Sequence, residues 1–145
     1  MEQIVQSVLI KAPIETCYEY SVDMTNLENW GNGILESRLA SAKESNEQNY
    51  EVKIGLPFLN TTGTYTTFNR KPKEFSFMAK TGTSVVKMED LYQFEKHTEK
   101  ETKLTLTHEA LLSSPWDKTG LFYQLIANSQ IYLDLRNLKA RIENQ

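Results

Sequence analysis

The chain opens with an alternation of apolar and polar positions over residues 3–11. Ile4, Val8 and Ile10 fall on one face, opposite a second face that is also partly apolar, and this period of two is typical of a β-strand. We therefore expect a first strand that is covered on one side and partly covered on the other. Pro13 ends it, because proline donates no backbone hydrogen bond and suits the first turn of a helix.

Helical spacing follows the proline. One inward face of a first helix is predicted from residues that recur every three or four positions, namely Ile14, Cys17, Tyr18 and Val22. Asp23 can cap a second short helix, which the sequence Gly-Asn-Gly at 31–33 ends. The sequence thus predicts a strand followed by a pair of short helices.

Nearly all of residues 34–112 read as strands separated by turns. β-Branched and aromatic residues are concentrated here in alternating runs, and the runs are interrupted by polar or glycine-containing segments such as 44–49, 70–73, 81–83 and 97–101. We interpret this region as an antiparallel meander of about six strands, which makes seven with the first.

The segment 121–143 contains no glycine or proline and predicts a long helix that begins near Gly120, after a weak capping sequence at 114–117. Its expected seam toward the sheet consists of Phe122, Leu125, Ile126, Ser129, Leu133, Arg136 and Ala140. A second set widens the seam: Ile131, Leu135, Leu138 and Ile142. The helix is too apolar to stand alone and must lie on the sheet.

This order of elements has one economical packing, an α+β helix-grip fold. A curved antiparallel sheet of about seven strands surrounds the long C-terminal helix, and the two short helices after the first strand close one end. We expect residues 1–145 to form a single domain. A sheet half-closed around one helix tends to leave a space between them, and spaces lined by apolar groups with a few polar ones bind small molecules.

Net charge, apolar runs and cysteine content limit the partners and the compartment that we expect for this protein. The chain of 145 residues has a net charge of −3, which argues against nucleic acid, and no apolar run is long enough for stable membrane insertion. Cys17 is the single cysteine, so an internal disulfide is impossible and a reducing compartment fits. The first residues lack a basic start followed by an unbroken apolar stretch, so we do not expect a signal peptide. We therefore expect a cytoplasmic protein.

Three segments together resemble one superfamily. The first carries Ala12, Pro13, Tyr18, Asp23 and Trp30, the second is "KPKEFSF" at 71–77, and the third is "LRNLKARIE" at 135–143. In this order and spacing the chain is similar to the START-like (SRPBCC, Bet v 1-like) superfamily of polyketide cyclases, plant proteins of the Bet v 1 type and lipid-transfer domains. The polyketide cyclase/dehydrase-like branch is the most similar. The resemblance implies the helix-grip fold but leaves activity open, because the same fold serves enzymes, carriers and receptors.

One polar group falls on the predicted inner face. His108 shares a strand face with Leu106, and Asp90 and Tyr92 alternate on the preceding strand. If Phe94 faces Leu104, a three-residue loop joins the strands and Asp90 lies opposite His108, whereas a shift by two residues brings Tyr92 there. The group could be a structural hydrogen bond under the helix, a contact for the polar end of a ligand, or a proton-transfer site.

These alternatives define three hypotheses. In the first, the protein binds a hydrophobic or aromatic molecule between sheet and helix, against walls formed by Trp30, Tyr65, Phe77, Met88, Asp90, Tyr92, Leu106, His108, Phe122 and Ile126. In the second, it is a cyclase/dehydratase-like enzyme with His108 as general acid or base, oriented by Asp90 or Tyr92. In the third, the apolar loop 56–59 pairs with another protein; as a lid it would instead serve the first hypothesis.

The sequence contains no motif for a metal site, a nucleotide-phosphate site or a serine nucleophile. The two histidines and Cys17 lack metal-ligand spacing, no glycine-rich loop precedes a helix, and no serine lies in a nucleophile turn. We expect no metal and no cofactor. His97 falls in a predicted turn as a solvated residue, Trp30 is more often core than pocket wall in such a position, and a buried Cys17 would be inert. Both a monomer and a homodimer are compatible with the sequence.

Overall fold

The computed structural model of the chain describes residues 2–44, 47–56, 59–71, 73–80, 85–112 and 120–145. The strands in these residues are β1 (Glu2–Ile10), β2 (Ile34–Glu44), β3 (Glu47–Leu56), β4 (Leu59–Arg70), β5 (Glu74–Lys80), β6 (Val85–Thr98) and β7 (Glu101–Leu112). The helices are α1 (Ile14–Val22), a 3₁₀ helix (Met24–Asn26), α2 (Leu27–Trp30) and α3 (Gly120–Glu143). The predicted order of elements is confirmed.

All seven strands form one antiparallel sheet in the order β1-β7-β6-β5-β4-β3-β2. Each strand from β2 to β6 pairs with the next along the chain, and β1 pairs with β7, from Glu2 opposite Ala110 to Ile10 opposite Thr102. Register shifts interrupt the pairing of β2 with β3 at three places. Because bulges bend a strand and increase its twist, these shifts help the sheet to curve around α3. The helix-grip α+β fold is therefore confirmed.

The short helices follow the predicted chemistry. Cys17 and Tyr18 are buried on the inner face of α1, and the hydroxyl of Ser21 donates to the carbonyl of Cys17 at 2.7 Å. The carboxylate of Asp23 accepts the backbone N–H of Thr25 at 3.1 Å and so caps the 3₁₀ helix. Gly33 then adopts φ 79°, a left-handed conformation that glycine takes without strain, and turns the chain into β2.

The prediction of which α3 residues face the sheet is wrong. Of the residues in that seam, Leu125 is 62% exposed and Leu133 is 45% exposed, and Ser129, Arg136 and Ala140 are exposed as well. The buried stripe instead follows the set that we expected only to widen the seam, together with one alanine: Ala127, Ile131, Leu135, Leu138 and Ile142. Apolar residues occur on every side of this helix, so the helical period alone does not choose a face. The buried face is instead determined by the packing of α3 against β1, α1 and α2.

A cluster of aromatic rings fills the part of the core near α1. The rings of Phe75 and Tyr92 stack with 4.7 Å between centroids, and Tyr18 meets Phe94 edge to face at 5.7 Å. Trp30, only 1% exposed, lies edge-on to Tyr92 at 6.2 Å. Such ring pairs stabilise beyond their buried area. Trp30 therefore packs in the core, as the sequence favoured.

Some predictions concern residues outside the described ranges. Leu56 pairs with Leu59 across β3 and β4, but Pro57 and Phe58 of the proposed apolar loop lie outside the described residues, as does the capping sequence at 114–117. Within the described part of the chain, no helix has the length and apolar character that crossing a membrane requires.

Candidate functional site

The candidate site starts from two adjacent strands. β6 and β7 pair with Phe94 opposite Leu104 and Asp90 opposite His108, so the first of the two predicted registers is confirmed. The loop is shorter than expected: β6 continues to Thr98, β7 begins at Glu101, and a register shift between 96 and 98 absorbs the difference. The exposed His97 is thus a residue of an irregular strand end rather than of the turn itself.

His108 and Asp90 form a buried pair. Nδ1 of His108 lies 2.5 Å from Oδ1 of Asp90, and the two residues are 4% and 6% exposed. Because an aspartate oxygen accepts hydrogen bonds, Nδ1 donates to it, and this bond fixes both the tautomer and the orientation of the imidazole. The pair lies beside Tyr92 and Leu106, both also buried on the inner face of the sheet.

Asp134 of α3 is a third ionisable group, whose pKa responds to the charges of this pair, and the sequence patterns did not indicate it. Its Oδ1 accepts the backbone N–H of Asn32 at 2.6 Å, which fixes the half-buried carboxylate. Burial raises the pKa of Asp134 to about 7; the Asn32 bond lowers it, the negative charge of Asp90 raises it, and His108 lowers it. The charges of Asp90 and His108 on the sheet therefore act on Asp134 of the helix.

A signal for Asp134 was present in the sequence. It lies three residues after Ile131 and four before Leu138, on the buried stripe of α3. A charged residue at helical spacing among buried apolar ones is a candidate for a functional group. Helical spacing also fits the apolar stripe through Leu125 and Leu133, which excludes Asp134.

Two tyrosines complete the group. Tyr65 on β4 and Tyr92 on β6 are buried, and burial raises the pKa of each well above its ordinary value, with the negative charges of Asp90 and Asp134 adding to the effect. Both hydroxyls therefore stay neutral near pH 7 and can donate hydrogen bonds. We call the five residues Tyr65, Asp90, Tyr92, His108 and Asp134 the buried polar cluster.

The remaining predicted wall residues have mixed positions. Trp30 and Leu106 are buried at 1% exposure each, and Met88 and Ile126 are half-buried. Phe77 pairs with Asp90 across β5 and β6, but its side chain, like that of Phe122, lies outside the described part of the structure. The structure thus brings Trp30 and Tyr92 together. That the ten residues line a ligand-binding site stays a prediction.

The cluster has no cationic neighbour among the described residues. Each Lys or Arg side chain described is exposed except that of Lys139, which is half-buried and binds Glu143. Over the same ranges, no three His, Cys, Asp or Glu side chains are grouped as metal ligands would be. Apart from the imidazole of His108, the ionisable members of the cluster are acidic.

A separate groove of about 560 Å³ lies at the surface between α3 and β1. It is lined by Gln6, Asn128, Ser129, Tyr132 and Leu133. The side-chain amide of Gln6 donates to the carbonyl of Asn128 at 2.8 Å and ties the edge strand to the helix. None of the groove residues belongs to the buried polar cluster.

Comparisons with known proteins agree with this fold. The family described as "Polyketide cyclase / dehydrase and lipid transport" matches residues 1–143. The Zhui aromatase/cyclase from Streptomyces sp. R1128 superposes with a TM-score of 0.86 at 12% identity, over 98% of this chain and 93% of that one. A START superfamily protein from Mycobacterium smegmatis gives 0.82 at 15% identity, over 99% of each chain.

A further solved structure is about twice as long. The di-domain ARO/CYC StfQ from the steffimycin biosynthetic pathway superposes with a TM-score of 0.81 at 11% identity, and the match covers 98% of this chain but 50% of that one. No curated protein matches the chain in sequence. At these identities the structural likeness establishes the fold, and any ligand or reaction must be argued from the residues themselves.

Proposed function

Because the chain belongs to the polyketide cyclase / dehydrase and lipid transport family, we propose that it binds a hydrophobic or aromatic small molecule, lipid-like or polyketide-like, between the sheet and α3. The observation that carries the proposal is the buried polar cluster. It combines groups from the sheet (Asp90, His108) with one from the helix (Asp134), inside an interior that is otherwise largely apolar.

Core packing alone gives no reason for such a cluster. Two carboxylates and an imidazole lose their hydration when they are buried, and well-packed apolar residues of similar volume would stabilise the fold as well or better. Binding sites for small molecules, in contrast, pair an apolar wall with a few polar groups that orient the ligand. The cluster beside the rings of Trp30 and Tyr92 has this composition.

Binding is tested by calorimetric titration with 1-naphthol, a neutral aromatic probe, and by a thermal-shift screen of lipids and aromatic compounds. The two histidines of the chain provide a matched pair of variants. We expect His108→Gln to weaken binding of 1-naphthol and His97→Gln to leave it unchanged, because only His108 is buried. Equal binding by both variants, or no binding by the wild type, would refute the proposal.

A second candidate function is catalysis, favoured by the bond between Asp90 and His108. A carboxylate on Nδ1 orients an imidazole for proton transfer at its other nitrogen, as general acid–base catalysis requires. In this reading His108 moves a proton on a bound polyketide-like substrate, while Asp90 orients it and Tyr92 lies alongside. His108→Ala should then abolish cyclisation or dehydration of an oligoketide analogue while binding of a non-reactive analogue persists.

A further inference from the structure

We propose that the buried polar cluster selects a hydrophobic or aromatic ligand that carries a protonated amine, and that it disfavours carboxylates and other anions. The inference rests on the proposed function, because it specifies the polar end of the molecule that lies between the sheet and α3. It follows from the balance of charges in the cluster and from the rings around it.

The cluster carries more negative than positive groups. His108 on β7 is paired with Asp90 on β6, so any charge on the imidazole is already balanced. Asp134 on α3 accepts a hydrogen bond from a neutral backbone N–H of Asn32, which orients the carboxylate without cancelling its charge. No Lys or Arg side chain described in the structure reaches it. A ligand ammonium would supply the missing counter-charge.

The neighbouring aromatic rings suit the same group. Trp30 and Tyr65 are buried beside the cluster carboxylates, whereas the ring of Tyr92 stacks on Phe75 and meets Trp30 edge to face, so Trp30 and Tyr65 are the rings that suit an ammonium. Faces of Trp and Tyr rings attract ammonium groups, and the attraction is stronger where water is excluded. A naphthyl or alkyl body attached to the amine would meet the apolar part of the same interior.

A ligand carboxylate would be repelled by the same cluster. It would add a third negative charge to Asp90 and Asp134 in a region of low dielectric, where like charges repel strongly. The pKa of Asp134, raised to about 7 mainly by burial and further by Asp90, supports this argument, because it indicates that negative charge here is already unfavourable. The other groups facing Asp134 are His108, Tyr65 and Tyr92.

The test compares three ligands that differ in one group: 1-naphthylmethylamine, 1-naphthylmethanol and 1-naphthoic acid. In calorimetric titrations at pH 8, we expect the amine to bind about tenfold more tightly than the alcohol, and the acid to bind most weakly. If the alcohol or the acid binds as tightly as the amine, the selectivity is refuted while the binding function stands. If none of the three binds, both proposals fail.

The variant Asp134→Asn removes the charge but keeps an acceptor oxygen for the N–H of Asn32. We expect it to lose the preference for the amine over the alcohol, measured as the ratio of the two affinities within the variant. The control is Glu95→Gln, which removes one exposed negative charge from β6 away from the cluster. A preference for the amine that persists in Asp134→Asn, or that Glu95→Gln also loses, would overturn the proposal.

The pH dependence gives an independent readout. Because Asp134 must be ionised to pair with the ammonium, amine affinity of the wild type should fall about tenfold from pH 8 to pH 6, while affinity for the alcohol stays nearly constant. Asp134→Asn should show no such fall. An amine affinity that does not change with pH in the wild type contradicts the assignment of Asp134.

Discussion

The imidazole of His108 and the carboxylate of Asp90 face each other across β6 and β7, with 2.5 Å between Nδ1 and Oδ1 and almost no contact with solvent. A pair so placed stabilises the fold only while both partners are present. Removing one leaves the other buried without its hydrogen bond and, where it is charged, without its counter-charge.

We therefore expect Asp90→Ala to lower the free energy of unfolding by about 3–5 kcal/mol. Urea denaturation followed by circular dichroism measures the change. The matched control is Glu51→Ala, which breaks the exposed pair with Arg38 and should cost less than about 1 kcal/mol. Equal losses in the two variants would show that the Asp90 pair is no more important than a surface contact.

Asp134 makes the stability of the protein depend on pH. Burial raises its pKa to about 7, so the folded state keeps a proton that an unfolded aspartate loses near pH 4. Stability from this residue is therefore greatest below about pH 4 and is lost as the pH rises to about 7. Other carboxylates, such as Glu143 with its lowered pKa, act in the opposite direction, so the variant must be compared with the wild type at each pH.

At pH 8, Asp134→Asn should raise the free energy of unfolding by about 1–2 kcal/mol, a value reduced from the full effect of the pKa shift because the carboxylate is partly exposed. At pH 4 the variant and the wild type should be nearly equal. Urea denaturation at both values measures the difference, with Glu95→Gln as control. A variant that is less stable than the wild type at pH 8 would contradict the burial of this charge.

The two faces of α3 should respond differently to truncation. Leu138 is fully buried, and Leu138→Ala should cost about 2–5 kcal/mol through lost burial and the cavity that remains. Leu125 is 62% exposed, and Leu125→Ala should change stability by less than about 0.5 kcal/mol. Thermal or urea denaturation of both variants tests the face that the structure assigns to the helix. A larger loss of stability in Leu125→Ala than in Leu138→Ala would instead support the helix face that the sequence suggested.

Cys17 should be chemically inert in the folded protein. It is fully buried on α1, and burial raises the pKa of its thiol, so that little of the reactive thiolate forms at pH 8. We expect negligible reaction with a chromogenic disulfide reagent under native conditions and reaction of one thiol per chain after denaturation. Rapid labelling of the native protein would show that α1 opens readily from the sheet.

The sheet was predictable because its pattern is local and redundant. Alternation marks each strand, and a three-residue loop between β6 and β7 predicts Phe94 opposite Leu104; the shorter loop keeps this pairing through the register shift between 96 and 98. That register in turn places Asp90 opposite His108. Here a period of two leaves few alternatives, since a slip of one residue would turn buried side chains toward water.

The helix face and the contribution of Asp134 were not predictable by the same means. Apolar residues surround α3, so Leu125 and Leu133 satisfy helical spacing as well as Leu135 and Leu138 do. The choice depends on how β1 and α2 meet the helix, a relation between segments distant in sequence. Asp134, a carboxylate on the face that packs inward, is therefore not singled out by that spacing.

The pairing of β1 with β7 affects when the sheet can be completed during protein synthesis. Ser7 lies opposite Thr105, 98 residues later, so β1 has no partner strand until β7, the last strand of the sheet in chain order, has been made. Until then β1 and the strand edge that it will cover are both open to other chains, and contacts of such long separation form slowly. The sheet therefore stays incomplete while the residues between these two strands are synthesised, and during that time the chain needs protection from aggregation.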